Sequence, residues 1–538
     1  MSTQPSLAQR TWRPSELKQV FNRSRQSVEQ ADVCLILEGA YPYVSGGVSS
    51  WTHALIQSMS HLRFSIVTIQ PTGEKKELKY TLPENVVELK EINLSRRFLG
   101  RSASRKNQED IHQFHQHIYN FLENGRTAEY MKAKELAIKS QLGQEALLNS
   151  RQAWNVITER YEETMSHSSL LQFFWTTRSM ISGLLVTMLS ELPRAKCYHS
   201  ICTGYAGLLG AGASIESSSP HLITEHGIYT NERRIELNAA EWLFDSGKSG
   251  YAVDQDSSEI RDIWLQAFQS FARFAYNNSS RVTTLYGENQ RFQKTDGAPA
   301  KRLMIIPNGV DYERFSALDC DKSQMQPTIA LIGRIVPIKD IRMFINACAI
   351  VKAAMPDARA ILMGGDDEDP EYARECYALA DSLGLSNFIE FSGNVDITQY
   401  LPQVHVVALT SLSEAQPLVL LEAGAAGIPT VSTDVGSCRE MIEGTDEDEV
   451  KGTAGVVVRC GDASAAGQAM LELLSDRQQC HDMGQLMKRR VEARFNKINI
   501  DARYKDLYEE TISSKYSEYS SVVPLHADSI EGIEKWQE

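Results

Sequence analysis

The 538-residue chain lacks the features that would place it in a specialised structural class. Its nine cysteines are scattered, without a CxxC pair, so we expect free, mostly buried thiols in a reducing compartment rather than a disulfide scaffold. Long hydrophobic runs are also missing, because the most apolar helical stretch, residues 183–192, is too short to cross a bilayer. No internal repeat of fixed period is present. These absences favour an ordinary globular protein.

An excess of positive charge is missing as well. The 69 acidic and 55 basic residues give a net charge of −14, which argues against nucleic acid as the main partner. An anionic small ligand is still allowed, because local basic residues can outweigh the overall charge. The opening MSTQPSLAQRTWRPSELK contains no apolar signal-peptide core, so we expect a cytoplasmic protein. Recruitment to the inner face of a membrane would then come through partner proteins.

The chain does contain two series of alternating apolar strands and helices, and its length predicts two or more domains. In the first series, a strand at 32–37, a glycine turn, a helical pattern and a strand at 64–69 form a βαβ unit. A long, polar helical region at about 102–192 predicts a helical insertion. Further strands of this series are expected at 197–203, 221–224, 281–286 and 303–306.

The second series begins at residue 328 and has near-continuous apolar strands, which are typical of parallel sheets covered on both faces. We expect its strands at 328–333, 358–364, 388–393, 404–411, 429–434 and 454–459, and helices at about 340–355, 370–384, 418–427 and 463–475. The predicted fold class is therefore α/β, with two doubly wound, Rossmann-like domains facing each other across a cleft. Ligands bind such sheets at the carboxyl ends of the strands.

Composition and pattern also suggest where the domains divide. We expect an N-terminal extension at 1–30, a first domain at 31–312, a second domain at 313–495 and a C-terminal helix and tail at 496–538. The polar, strand-poor stretch 311–326 is interpreted as a linker.

Two loops carry candidate phosphate-binding groups. Gly46 and Gly47 follow the first strand, where adjacent glycines either let backbone N–H groups approach a phosphate or sugar or form a plain turn. Arg334 and Lys339 flank the loop after the first strand of the second series. A rigid guanidinium and a flexible ammonium suit a diphosphate there, although two solvated surface cations are the alternative.

Two glutamates add acceptors. Glu414 and Glu422 are eight residues apart, slightly more than two helical turns, around a helix that should start near Leu418. Both carboxylates can therefore face a helix N-terminus, whose N–H groups favour anions. Acceptors for hydroxyls beside donors for phosphate suit a nucleotide-sugar.

The remaining motifs are weaker. His226 closes a strand, where it either contacts a sugar or is structural. Asn308-Gly309 is interpreted as an interdomain turn, and the acidic run 366–369 as a solvated loop. The Asp-x-Asp triplets at 254–256 and 319–321 do not follow apolar strands, so we interpret them as chance and predict no metal site.

Taken in order, these segments resemble the retaining glycosyltransferases of family 4, which have the GT-B fold. The matching motifs are the glycine pair, TEH ending at His226, PNGVD from Pro307, GR…K and the two glutamates, over about residues 31–510. The resemblance implies transfer of a hexose from a UDP-sugar with retention of configuration, without a metal or other cofactor. It also implies that the C-terminal helix crosses back to the first domain.

The resemblance further implies a role for each matching residue. Arg334 and Lys339 would bind the diphosphate, Glu422 the ribose hydroxyls and Glu414 the 3- and 4-hydroxyls of the sugar. His226 would lie near the 6-hydroxyl and the anomeric carbon. Catalytic roles thus fall on His226, Arg334, Lys339 and Glu414. Other substrate contacts would come from Gly46, Gly47, Asn394, Pro417, Leu418, Val419 and Glu422.

The opening EGAYPYVSGGVSSW, the segment TEHGIYTNER and the helical insertion are similar to family members that build exopolysaccharides. This similarity implies UDP-glucose as donor, a growing polysaccharide as acceptor and subunits of a membrane-bound synthase as partners. The insertion departs from a minimal GT-B domain and leaves the acceptor site open. The alternatives are a UDP-sugar epimerase or a phosphorylase on the same fold, and a non-catalytic nucleotide-sugar-binding scaffold of a membrane synthase complex.

Overall fold

The computed structural model describes residues 30–74, 76–239, 255–318 and 325–513. These residues divide between two compact units. The first unit takes the described residues up to Thr283, Phe292–Met304 and those from Leu507, and the second takes Thr284–Arg291 and Ile305–Asp506. Each unit is built on a sheet of its own.

The first unit contains a seven-stranded sheet. Its strands are β1 (Ala31–Glu38), β2 (Phe64–Gln70), β3 (Val86–Asn93), β4 (Ala195–Ser200), β5 (His221–Glu225), β6 (Arg281–Thr284) and β7 (Leu303–Ile305). They lie in the order β3-β2-β1-β4-β5-β6-β7. β1 runs parallel to both neighbours, with Val33 opposite Phe64 and Cys197. β1 and β2 are almost fully buried apolar runs, as a parallel sheet covered on both faces requires.

Helices cover this sheet and fill the region between β3 and β4. The helices are α1 (Gly47–Ser58), α2 (Gln108–Asn124), α3 (Thr127–Lys139), α4 (Gln144–Leu148), α5 (Arg151–Thr164), α6 (Leu170–Leu189), α7 (Tyr205–Ser217), α8 (Tyr229–Ala239) and α9 (Gln255–Asn277). Ser150 and Ser169 cap α5 and α6 by accepting from backbone N–H groups of the first turn. Apolar side chains of α2, α3, α4 and α6 share one core cluster with α7 and α9, so the helical region is packed onto the first unit.

The second unit contains a six-stranded, fully parallel sheet. Its strands are β8 (Thr328–Ile332), β9 (Arg359–Met363), β10 (Ile389–Gly393), β11 (Val406–Leu409), β12 (Thr430–Thr433) and β13 (Gly455–Val458), in the order β10-β9-β8-β11-β12-β13. The remaining helices are α10 (Gly287–Thr295), α11 (Tyr312–Ser316), α12 (Ile341–Ala354), α13 (Pro370–Ser382), α14 (Leu418–Ala425), α15 (Cys438–Glu443), α16 (Ala463–Ser475), α17 (Arg477–Arg490) and α18 (Lys497–Ser513). α10 and α18 contribute residues to both units.

Successive residues of β8 point to opposite faces of this sheet. Ile329 and Leu331 belong to a core cluster with α12, α13 and α16. Ala330 and Ile332 belong to a second cluster with α11, α14, α15 and α17. Helices on both faces of a parallel sheet make the second unit doubly wound, which confirms the predicted fold class.

The strands predicted from apolar runs are all present, with bounds shifted by a few residues. The edge strand β3 and the helices α7, α8, α10, α11, α15 and α17 are not predicted by the sequence patterns. Tyr312 and Phe315 of α11 are buried in the core of the second unit, so these residues are not part of a linker.

No helix within the described ranges has both the length and the apolar character that a bilayer crossing requires. The described cysteines are free thiols, and most of them are buried. The expectation of free, buried thiols is therefore confirmed for this part of the chain.

Candidate functional site

The loop after β8 is held by backbone contacts to the loop after β9. The N–H of Gly333 donates to the Met363 carbonyl, and the N–H of Ile335 donates to the Gly365 carbonyl, each at 2.8 Å. A Cβ on Gly364 would collide with the Gly333 carbonyl, so only glycine permits this approach. The position of Arg334 is thus set by two strands rather than by one flexible loop.

Arg334 forms an ion pair with Glu368, which lies after β9. The acidic run 366–369 was expected to be only solvated, but the paired loops bring it against the cationic loop. Both side chains are at least half exposed. Exposed ion pairs contribute little free energy, so an anionic ligand could replace Glu368 at the guanidinium.

Lys339 lies at the end of a 3₁₀ turn, Pro337–Lys339, and its ammonium donates to Glu414 Oε1 at 2.5 Å. The hydroxyl of Ser411 donates to the same oxygen at 2.7 Å. The Lys339 and Glu414 side chains are only 20% and 15% exposed. β8 and β11 are neighbours in the sheet, which explains how residues 75 positions apart come together.

The backbone around this pair is fixed by its own hydrogen bonds. The Thr410 hydroxyl donates to the Lys339 carbonyl at 2.9 Å, and the Leu412 N–H donates to the Ile338 carbonyl at 2.8 Å. Asp340 adopts the left-handed region, with φ of 43°, and its carboxylate accepts from the Met343 N–H at the start of α12. The lysine therefore projects from a rigid turn.

Helix α14 begins where the sequence predicts. Pro417 is extended, Leu418 is the first helical residue, and Glu414 lies before the helix with Glu422 inside it. Burial raises the pKa of Glu422, while the Arg314 guanidinium acts in the opposite direction. The N–H groups of the first turn, at Leu418 and Val419, have no earlier helical carbonyl to bind, so this helix end can receive an anion.

Asn394 directly follows β10 and lies against the loop after β9. A Cβ on Gly365 would approach the Asn394 side-chain amide to 2.8 Å. Since β10, β9, β8 and β11 are consecutive neighbours, their carboxyl ends share one edge of the sheet. The structure thus gathers Asn394, Arg334, Lys339 and Glu414 on that edge of the second unit.

In the first unit, the glycine loop and His226 occupy the corresponding edge. α1 begins at Gly47, and a Cβ on Gly46 or Gly47 would meet nothing within 4 Å, so packing does not require either glycine. His226 directly follows β5, and burial lowers its pKa to about 4. Its ring makes a T-shaped contact with the ring of Trp51 from α1, with centroids 4.6 Å apart. The helix that starts at Gly47 therefore reaches His226.

The sequence reading missed three contributors to these edges. Ser411 and Trp51 are described above, and Gln416 accepts from the Asn308 N–H at 2.6 Å through its side-chain oxygen. The polar run SLSEAQP after a buried strand was a usable signal for Ser411 and Gln416. Asn308, which the sequence predicts to lie in an interdomain turn, is tied by this bond to the segment before α14. Of the two Asp-x-Asp triplets, 319–321 and Asp254 lie outside the described residues.

Comparison with known proteins shows which families and structures the chain is similar to. Residues 326–476 match the family model of glycosyl transferases group 1, and residues 31–301 match a model described as a domain of unknown function, DUF3492. A GDP-mannose-dependent alpha-(1-6)-phosphatidylinositol monomannoside mannosyltransferase from Mycobacterium tuberculosis is 26% identical over 55% of this chain and 79% of its own length. An N-acetyl-alpha-D-glucosaminyl L-malate synthase from Bacillus anthracis is 24% identical over 46% of this chain and 64% of its own length.

Among solved structures, Anabaena Alr3699/HepE in complex with UDP covers 89% of this chain and 99% of its own length, with a TM-score of 0.54 and 15% identity. That likeness concerns the fold. The family model and the sequence relatives, together with this fold, identify the chain as a glycosyltransferase of the GT-B type. The chain belongs to the DUF3492 family, whose model spans half of it.

Proposed function

We propose that the protein transfers a hexose from a UDP-sugar, with UDP-glucose as the first candidate, and retains the anomeric configuration. The observation that carries this proposal is the Lys339–Glu414 pair, largely buried at the ends of adjacent strands and just before the start of α14. It offers an ammonium for a diphosphate and a carboxylate for sugar hydroxyls in one place.

The leaving diphosphate would be stabilised without a metal. Arg334 and Lys339 supply two cations, and the first turn of α14 supplies backbone N–H groups. Donors fixed in advance at a developing negative charge are worth about 3–4 kcal/mol each, by analogy with oxyanion holes. One lysine can serve both groups, because its ammonium has three donors and Glu414 takes one.

Glu414 would hold the sugar rather than attack it. Within the described residues, both hydrogen bonds to this carboxylate fall on Oε1, which leaves Oε2 for a sugar hydroxyl. A carboxylate paired with an ammonium is a weak nucleophile, so attack by the acceptor on the face of the departing phosphate is the favoured route. Glu422 would bind the ribose hydroxyls, Asn394 would line the base pocket, and Pro417, Leu418 and Val419 would frame the diphosphate.

In the first unit, the backbone at Gly46 and Gly47 would meet the phosphate or sugar, and His226 would face the 6-hydroxyl and the anomeric carbon. The opening segment and TEHGIYTNER resemble PelF, the glycosyltransferase of Pel exopolysaccharide synthesis. We therefore propose a growing exopolysaccharide as acceptor and membrane synthase subunits as partners of a cytoplasmic enzyme.

Donor identity can be tested by thermal unfolding with UDP-, GDP- and ADP-sugars. We expect UDP-glucose to raise the unfolding temperature, because a ligand that binds only the folded state stabilises it. The GDP-mannose dependence of one relative makes GDP-mannose the most informative competitor. Stabilisation by GDP-mannose and not by UDP-glucose would overturn the proposed donor.

The reaction itself needs a second measurement. Incubation with UDP-glucose should release UDP and yield an α-linked product or α-glucose, as seen by proton NMR. Conversion to another UDP-sugar without an acceptor would indicate an epimerase instead.

A further inference from the structure

The last residue of β5, Glu225, carries a fully buried carboxylate that the function above does not use. Its Oε1 accepts from the Thr203 hydroxyl at 3.0 Å and from the Tyr229 N–H at 3.5 Å. Its Oε2 accepts from the Tyr276 hydroxyl at 2.6 Å and from the Gln293 amide at 2.9 Å. Burial raises the pKa of Glu225, and these hydrogen bonds act against that rise.

The four donors come from four different parts of the first unit. Thr203 lies between β4 and α7, Tyr229 begins α8, Tyr276 lies near the end of α9 and Gln293 belongs to α10. Glu225 therefore ties the end of its own strand to three helices and a loop. Buried donors of this kind are costly to leave unpaired, so they hold the carboxylate in one orientation.

The bond to Tyr229 closes the short turn that contains His226. The turn runs from Glu225 to the first residue of α8, and both ends meet in the carboxylate. A Cβ on Gly227 would overlap the carboxylate of Glu232, so a larger residue there would have to displace that side chain. On its other side the His226 ring meets Trp51. His226 is thus held between the turn closed by Glu225 and the ring of Trp51.

We propose that Glu225 is a positioning residue that orients His226 for transfer by closing the turn between β5 and α8. This inference rests on the proposed function, in which His226 faces the sugar. Glu225 touches no substrate in this scheme, and its effect passes through the histidine.

An amide cannot replace the carboxylate fully. Glutamine offers one acceptor oxygen, so either the Oε1 donors or the Oε2 donors would face an NH₂ group. Glu225→Gln should therefore loosen the turn while keeping the volume of the side chain. Asp296→Asn is the matched control, since Asp296 is also buried, with a pKa raised by burial, but accepts from Thr230, one residue further into α8.

The test is a double-mutant cycle of Glu225→Gln and His226→Ala, read as UDP release from UDP-glucose. Misplacing a catalytic group by a fraction of an ångström to 1 Å costs roughly 10- to 100-fold, so we expect Glu225→Gln to lower kcat about tenfold. We expect KM for UDP-glucose to stay within about twofold. In the His226→Ala background, Glu225→Gln should lower kcat by less than about twofold, because the group it orients is gone.

The outcomes separate the two claims. Independent, multiplicative losses in the cycle, or an equal loss in Asp296→Asn, would overturn the positioning role and leave the proposed function standing. Full activity of His226→Ala would instead remove the proposed role of the histidine. If Glu225→Gln does not fold, Tyr276→Phe removes one donor to the carboxylate and serves in the same cycle.

Discussion

Glu225 is the last residue of the buried strand β5, and Glu414 lies in the loop after the buried strand β11, yet the two carboxylates have different hydrogen-bond partners. Glu414 in the second unit accepts from an ammonium and a hydroxyl and stays 15% exposed. Glu225 in the first unit is fully buried and accepts from two hydroxyls, an amide and a backbone N–H.

The difference fits two kinds of task. The Lys339–Glu414 pair still reaches solvent, so a ligand can enter and take over one of its hydrogen bonds. A buried carboxylate bound by several fixed donors cannot let go without leaving them all unpaired. In the second unit, Glu414 and Lys339 can therefore change partners. In the first unit, Glu225 and its donors hold the surrounding side chains in fixed positions.

The largest expected effect comes from breaking the exchangeable pair. We expect Lys339→Ala to lower kcat for UDP release by about 10²–10³-fold, the usual loss when one fixed donor to a developing negative charge is removed. Steady-state kinetics with UDP-glucose measures the change.

The control for this variant is Arg342→Ala. Arg342 lies about one helical turn after Lys339, and its cation is held in an exposed ion pair with Glu375. Its kcat should stay within about threefold of the wild type. Equal losses in both variants would mean that Lys339 acts only as a surface charge.

The next effect concerns glycines that serve different purposes. Gly364→Ala should cost about 3 kcal/mol or more of unfolding free energy, since the new Cβ would collide with the Gly333 backbone. Gly47→Ala should be neutral or slightly stabilising, because Gly47 is the first residue of α1 and has open space around it. Urea denaturation of both variants measures the contrast.

Activity of the same glycine variant sharpens the comparison. If the Gly47 backbone meets the substrate, Gly47→Ala should lower kcat/KM about tenfold while the fold is unchanged. Wild-type kinetics in this variant would make the glycine pair a plain turn.

The smallest expected effect is a pH-dependent change in stability at Glu422. The pKa of Glu422 is raised in the folded state. At low pH the group is protonated in both the folded and the unfolded state, and it costs no stability. As pH rises from about 4.5 through the folded pKa, the folded protein loses stability, because the unfolded state releases the proton more readily. Glu422→Gln removes this penalty and should unfold at a higher temperature than the wild type at pH 7.5, without ligand. At pH 4 the difference should shrink. A difference independent of pH would show that the carboxylate titrates normally.

The elements that could be predicted from the sequence are those whose buried residues form unbroken apolar runs. β8 and β9 are unbroken apolar runs, and parallel sheets place their carboxyl ends on one edge, which is why Arg334 and Glu414 could be assigned to one region. β3 could not be predicted in this way, because it is an edge strand in which charged residues interrupt the apolar ones. α7 could not be predicted either, because its sequence YAGLLGAGASIES is rich in small residues and shows no clear helical periodicity.

Pairings between distant residues could not be predicted in the same way. The Lys339–Glu414 contact depends on β8 and β11 being neighbours although two strands separate them in sequence. Glu225 belongs to the TEH motif, but its burial could not be predicted, because a glutamate at a strand end is usually solvated and the donors named above are spread over about ninety residues.

The backbone contact between Gly333 and Gly364 bears on how such an enzyme could acquire a new donor preference. The main chain of the loop that we propose to bind the diphosphate is held by hydrogen bonds to the loop after β9, and neither Gly333 nor Gly364 can move without disturbing the other. Selectivity would have to change through side chains that border the loop, such as Asn394, whose amide lies against Gly365. A library that varies Asn394 and its neighbours while keeping both glycines should therefore yield folded variants with altered nucleotide preference.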